Sequence, residues 1–132
     1  MDSVRFINNI INDDSRGVLT SIEAYKATGI VYKRFFLIDN VKGGIRGGHA
    51  HKNTDQIIKM IKGSMRLVYQ YYKKKGYFEL NEKSRPIFLP KLTWIEMINI
   101  SSDAIILVLS SDEYNMSESL RDKNQFISYI QK

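Results

Sequence analysis

The feature that most limits the fold of this chain is a series of short apolar runs separated by turn-forming residues. In one of them Leu67, Tyr69 and Tyr71 alternate with polar or smaller residues, which places the three side chains on one face of a strand. The same reasoning predicts strands at residues 18–22, 34–38, 56–61, 65–72, 77–80, 86–89, 95–100 and 104–110. Many short strands with regular turn signals indicate an all-β sandwich or jelly roll.

Two further local predictions follow from the pattern. Lys75 and Gly76 stand between two of the predicted strands and indicate a hairpin turn. Only the end of the chain has apolar residues at helical spacing, so we expect a short C-terminal helix from Ser117 onward. No change in composition divides the 132 residues, which predicts one domain over 1–132.

Composition excludes several classes of site and partner. The absence of cysteine rules out disulfides and thiolate metal ligands. Neither an apolar leader at the N-terminus nor an apolar run of about 20 residues is present, so we expect a cytoplasmic protein without a membrane partner. The net charge of +6 favours an anionic ligand. Because no nucleic-acid-binding motif accompanies the charge, we expect no nucleic-acid partner, and the charge by itself indicates no more than an anionic ligand.

The only two histidines of the chain, His49 and His51, stand two residues apart. On a strand, such residues point to the same face and can converge on one pocket. An imidazole titrates near pH ~6.5, so a converging pair suits proton transfer. The alternative is an exposed pair of histidines on a loop.

The residues around the pair resemble the first motif of the cupins, which have a jelly-roll β-barrel fold. That motif has a glycine, then His-x-His, an acidic residue and a second glycine at set intervals. The matching positions are Gly43, His49, His51 and Gly63, whereas Gln56 replaces the acidic residue. The resemblance implies a cupin-type jelly-roll β-barrel, here followed by a short C-terminal helix.

The second cupin motif is altered in a way that bears on metal binding. Pro90 matches its proline, but Leu92 and Ile95 replace its glycine and its metal-binding histidine. A catalytic metal typically needs three protein ligands and an open position. We therefore expect no metal, with His49 and His51 free to act as acid and base.

Within the metal-free cupins, the chain resembles the dTDP-sugar 3,4-ketoisomerases of bacterial surface-glycan synthesis. The signature is Arg46-Gly47 followed by His49-Ala50-His51-Lys52. Further matches are spread along the chain: Arg16-Gly17, Ile22-Glu23, Lys33-Arg34, Gln56, Gly63-Ser64, Trp94, Glu96-Met97, Val108-Leu109, Tyr114 and Arg121. The resemblance implies a homodimer that moves the carbonyl of a dTDP-linked 4-keto-6-deoxyhexose from C4 to C3. It implies neither a metal nor a redox cofactor.

This resemblance also suggests roles for individual residues. We expect His51 to be the base and His49 the proton shuttle or donor, although the sequence alone leaves the reverse order open. Arg46 lies three residues before His49, and its guanidinium suits a diphosphate. The remaining candidates for substrate binding are Arg34, Arg66, Arg121 and Trp94. Trp94 could stack on a nucleobase, but a core position is the alternative.

Two other functions stay open at this point. A nucleotide-sugar epimerase uses similar base-catalysed exchange next to a ketone, although the His49/His51 pair favours the isomerase. A non-catalytic nucleotide-sugar-binding module is the third interpretation. Phe35-Phe36, where the family commonly has tyrosine, and Ile95, where it often has histidine, are the features that support it.

Overall fold

The structure, a computed structural model, describes residues 3–113, 115 and 118–131. The family match at Tyr114 and the predicted helix start at Ser117 lie outside these residues. The elements of the described part are β1 (Arg5–Phe6), β2 (Ile10–Asp14), β3 (Gly17–Ser21), α1 (Ala24–Thr28), β4 (Arg34–Ile38), β5 (Arg46–His51), β6 (Gln56–Lys62), β7 (Ser64–Tyr71), β8 (Lys74–Asn81), β9 (Ile87–Leu89), β10 (Thr93–Ile98), β11 (Ile105–Ser110), β12 (Ser119–Leu120) and α2 (Lys123–Ile130).

Two five-stranded antiparallel sheets form the body of the protein. One has the order β1-β9-β6-β11-β4 and the other the order β12-β5-β10-β7-β8. Their inner faces share one apolar core, to which Ile58 and Ile106 contribute from the first sheet and Leu67 and Met97 from the second. The all-β prediction is confirmed, with its expected short helix near the C-terminus.

Each helix covers the outer face of one sheet. In α2, Phe126 is fully buried against Ala50 and Trp94 on the outer side of the second sheet. Asp122 caps this helix, because its side chain accepts hydrogen bonds from the amides of Asn124 and Gln125. The helix α1 packs near Phe88 on the outer side of the first sheet.

The hairpin of β2 and β3 differs from the rest of the fold. Among the described strands, these two pair only with each other. Their side chains are exposed, including the apolar residues Ile10, Ile11, Val18 and Leu19. The hairpin is therefore a two-stranded ribbon that carries apolar side chains into solvent.

The predicted elements differ from the observed ones in several places, and the strands β1 and β2 were not predicted. Lys75 and Gly76 lie within β8 and pair with Gln70 and Tyr69, so the turn falls three residues earlier, at residues 72–73. A Cβ at position 76 would lie 2.9 Å from the Tyr69 hydroxyl, so a side chain there would require the Tyr69 ring to shift. The helix α1 was not predicted. Finally, α2 begins only at Lys123, and Leu120 belongs to a strand that pairs with β5.

No helix among the described residues combines the length and apolar character that a membrane crossing requires.

Candidate active site

Strand alternation directs both histidines into one cavity. On β5, His49 and His51 line the cavity, whereas Ala50 between them is fully buried under α2 on the opposite face. The two imidazole rings meet edge to face, with centroids 5.0 Å apart and an interplanar angle of 82°. The structure thus brings the His-x-His pair together as the sequence predicts.

Glycines before the pair fix the path of β5. Gly47 has a φ of +95°, a conformation that side chains with a Cβ rarely adopt. A Cβ at this position would lie 3.1 Å from the carbonyl oxygen of Ile95 on β10. The register between β5 and β10 shifts here, between Ile95 and Glu96. This bulge and close approach set the position from which His49 projects.

The cavity has a volume of about 370 Å³ and lies between the two sheets. Its inner wall is apolar and includes Ile95 and Met97 of β10. The other apolar lining residues are Phe36, Ile38, Ile58 and Val108. Ile95 occupies the position of the third cupin histidine and pairs with His49 across the strands. The wall beside the histidines is therefore aliphatic where a metal ligand would otherwise stand.

Three of the predicted substrate-binding arginines line the same cavity. They are Arg34 at the start of β4, Arg46 at the start of β5 and Arg121 after β12. The guanidinium of Arg34 lies over the ring of Phe36, 4.7 Å from its centroid. Glu113 and Glu118 line the cavity as well, so the positive charge is confined to the arginines. Guanidinium groups attract anions and form paired hydrogen bonds with phosphate oxygens.

The structure places the other two candidates elsewhere. Arg66 lies on β7 with its guanidinium paired with Glu79 and stacked 4.4 Å from the ring centroid of Tyr77 on β8. Strand alternation turns it away from the core that its neighbour Leu67 enters. It does not line the cavity.

Trp94 also points away from the cavity. Its ring is buried 5.6 Å from that of Phe126 in α2, and its Nε1 donates to Glu96 2.8 Å away. The core alternative therefore describes Trp94, and a nucleobase in this cavity cannot stack on it.

Sequence reasoning missed Glu118. Its carboxylate Oε2 lies 2.8 Å from Nδ1 of His51, and its Oε1 accepts a hydrogen bond of 2.6 Å from the amide of Asn53. The strand β12 brings it there, because Ser119 pairs with His51. The signal available in the sequence was an acidic residue three positions before Arg121, but nothing in the sequence predicted that β12 would lie beside β5.

The two histidines have different electrostatic surroundings. Burial in the cavity wall lowers the pKa of His49 to about 4, and repulsion from His51, Arg121 and Arg46 adds to the effect, against a smaller contribution of the Gly47 backbone. His49 is therefore neutral at physiological pH. Burial alone would raise the pKa of Glu118, but hydrogen bonds from Asn53 and His51 hold it below its ordinary value. Glu118 is therefore an anion beside His51.

The residues around the histidine pair do not form a typical set of metal ligands. Gln56 and Ile95 line the cavity together with the histidines, but an amide and an aliphatic side chain are poor substitutes for a carboxylate and an imidazole. Among the residues that the structure describes, no group of three histidine, aspartate or glutamate side chains is arranged to hold a metal ion.

Known proteins match this chain over nearly its whole length. Residues 2–131 match the family model described as "FdtA: WxcM-like, C-terminal". A TDP-4-oxo-6-deoxy-alpha-D-glucose-3,4-oxoisomerase from Aneurinibacillus thermoaerophilus is 33% identical over 130 residues, which cover 95% of this chain and 94% of that protein.

Solved structures agree with this match. A 3,4-ketoisomerase from Helicobacter canadensis superposes with a TM-score of 0.91 at 33% identity, covering 98% of both chains. A variant of the 3,4-ketoisomerase QdtA from Thermoanaerobacterium thermosaccharolyticum, in complex with TDP-4-keto-6-deoxyglucose, has a TM-score of 0.89 at 26% identity. That comparison covers 97% of this chain and 94% of QdtA.

Proposed function

Because the chain belongs to the FdtA (WxcM-like, C-terminal) family, we propose that it is a 3,4-ketoisomerase of a TDP-linked 4-keto-6-deoxyhexose. The observation that carries this proposal is the His49/His51 pair in a cavity that is also lined by Arg34, Arg46 and Arg121. The relatives named as oxoisomerases and ketoisomerases of such sugars support the substrate class. We expect the products to enter the synthesis of deoxyamino sugars for bacterial surface glycans.

The reaction is an internal redox change without a net loss of atoms or electrons. A base removes the proton from C3, and the electrons form an enediolate shared between C3 and C4. A proton then moves from the oxygen on C3 to the oxygen on C4, and C4 accepts a proton from the protein. The C3 alcohol becomes a ketone and the C4 ketone an alcohol, so the chemistry requires no external oxidant or reductant.

We assign the base to His51 and the proton shuttle to His49. His51 lies beside the Glu118 carboxylate, which favours the imidazolium that forms when a base takes up a proton. A neutral imidazole has one donor and one acceptor nitrogen. His49, which stays neutral, can therefore exchange a proton with two neighbouring sugar oxygens. General acid–base help of this kind contributes roughly 10²–10⁴-fold in rate.

The arginines and the apolar wall have separate roles in this proposal. Arg46, with Arg34 and Arg121, binds the diphosphate through charge-assisted hydrogen bonds. The aliphatic wall formed by Ile95 and Met97 excludes water from the enediolate and suits a sugar that lacks a hydroxyl at C6.

The test is a comparison of wild-type protein with His51→Asn and His49→Asn. We expect His51→Asn to lower kcat by roughly 10²-fold or more, while TDP binding measured by calorimetry stays within about threefold. Full activity of His51→Asn would exclude it as the base. TDP binding by a wild-type protein that converts no keto-sugar would instead favour the non-catalytic module.

We further propose that the protein is a homodimer formed through the β2–β3 hairpin. The hairpin exposes Ile11 and Val18, while β4 at the edge of the first sheet exposes Phe35 and Leu37. An exposed apolar edge strand is a template for pairing, and a second copy would cover it with the hairpin. Sedimentation of Ile11→Lys against wild type tests this, since a dimeric variant would contradict the assignment. A nucleotide-linked substrate supports a cytoplasmic location.

A further inference from the structure

The carboxylate of Glu118 is held by its neighbours next to the histidine pair, among them His51, Asn53 and the side chain of Thr54. One oxygen meets His51 Nδ1 and the other accepts the amide hydrogen of Asn53. The side chain is 10% exposed, compared with 19% for His51. The backbone is fixed as well, because the amide of Lys52 donates to the Glu118 carbonyl at 3.0 Å. Neither partner can therefore rotate freely in its site.

This geometry selects one tautomer of His51. An ionised carboxylate has only acceptor sites, so the ring nitrogen that meets it must carry the hydrogen. Nδ1 of His51 is thus the donor, and the lone pair of the neutral ring lies on Nε2. The opposite tautomer would place two lone pairs 2.8 Å apart. Nε2 is consequently the nitrogen that can take up a proton from a substrate.

His49 lacks an equivalent partner. Among the described residues, the ion pair between a histidine and a carboxylate involves His51 and not His49. The arginines whose charge acts on His49 are Arg121 and Arg46, and both are cationic. The carboxylate therefore distinguishes the two histidines, which are otherwise neighbours on one face of β5.

From this asymmetry we propose that Glu118 is a positioning residue for the ketoisomerase reaction. It holds His51 with the proton on Nδ1 and stabilises the imidazolium that forms when Nε2 removes the proton from C3. This inference rests on the proposed function, and it adds that the residue immediately before β12 supplies the carboxylate that orients the base.

The test combines one variant with a measurement on the unmodified protein. Glu118→Gln keeps the shape and removes the charge, and Glu79→Gln is the matched control because Glu79 is exposed on β8 and pairs with Arg66. We expect Glu118→Gln to lower kcat roughly 10²-fold, as removal of groups that orient a histidine does elsewhere. KM and the TDP affinity should stay within about threefold, and Glu79→Gln should match wild type.

Nitrogen NMR of ¹⁵N-histidine-labelled wild-type protein measures the tautomer directly and needs no variant to fold. We expect His51 to have a protonated Nδ1 and a Nε2 shift typical of an unprotonated nitrogen. A proton on Nε2 in the neutral ring, or an unchanged kcat in Glu118→Gln, would overturn the proposal. If Glu118→Gln does not fold, the tautomer measurement alone decides. Failure of the proposed function would appear differently, as a wild-type protein without turnover.

Discussion

Acidification should destabilise this protein through His49. The unfolded chain binds a proton at this residue below its ordinary pKa of 6.5, whereas the folded protein resists it until about 4. Since the folded state has the lower pKa, the unfolding free energy has its full value above pH 6.5. It decreases progressively as the pH falls towards 4, because the unfolded chain then binds a proton that the folded protein does not. The difference of about 2.5, at 1.36 kcal/mol for each pKa unit, corresponds to about 3 kcal/mol of unfolding free energy.

The assay compares wild type with His49→Asn, in which this titration is absent. Urea unfolding followed by fluorescence of Trp94, the single tryptophan, gives the unfolding free energy at pH 7 and pH 4. Groups that titrate equally in both proteins cancel in the difference between them. We expect the stability of wild type relative to the variant to decrease by about 3 kcal/mol between the two pH values.

Two results would refute this reasoning. The first is a wild-type advantage or deficit relative to His49→Asn that stays constant from pH 7 to pH 4. The second is a His49 proton resonance that titrates near pH 6.5 in the folded protein. Either would show that burial and the neighbouring cations do not keep His49 neutral, and a neutral proton shuttle would lose its basis.

The remaining predictions concern the strand that carries the histidines, the helix behind it and metal removal. Gly47→Ala should lower the unfolding free energy, measured with urea, by about 1–3 kcal/mol more than Gly48→Ala does. Both glycines have positive φ, but only Gly47 faces the Ile95 carbonyl at 3.1 Å. Equal losses in the two variants would contradict the close approach. Phe126→Ala should lower the unfolding free energy by about 3–5 kcal/mol in the same assay, since this ring is fully buried against Trp94. A loss below about 1 kcal/mol would contradict that packing. Dialysis against a chelator should leave turnover unchanged, and restoration of lost activity by a divalent metal would overturn the metal-free mechanism.

Much of the fold could be predicted from alternation of apolar residues. The predicted strand at 34–38 coincides with β4, and most others agree within three residues. The errors have local physical causes. Gly76 resembles a turn residue, but it lies within β8, where the Tyr69 ring of the neighbouring strand occupies the space beside its Cα. Leu120 fits a helical period, yet it pairs with Ala50 in a strand because β5 offers a free edge there.

The candidate site was likewise predicted only in part from the sequence. His49, His51 and Arg46 were identified because their spacing within one short segment carries the information. Trp94 and Arg66 lie outside the cavity because the alternation of side chains on β10 and β7 turns them outward. The sequence pattern alone did not show which face of each strand would point into the cavity. Glu118 was missed because it reaches His51 from 67 residues away in the chain. Contacts between distant segments become visible only once the strand order is known.

Catalysis by the histidine pair is tested most simply by incubation of wild-type protein with TDP-4-keto-6-deoxyglucose in D₂O, followed by NMR. We expect a new 3-keto product in which C4 carries deuterium, because the base returns a solvent-exchanged proton to that carbon. Deuterium at C3 or C5 with the carbonyl still at C4 would indicate an epimerase instead. Binding without any exchange would contradict catalysis by His49 and His51 altogether.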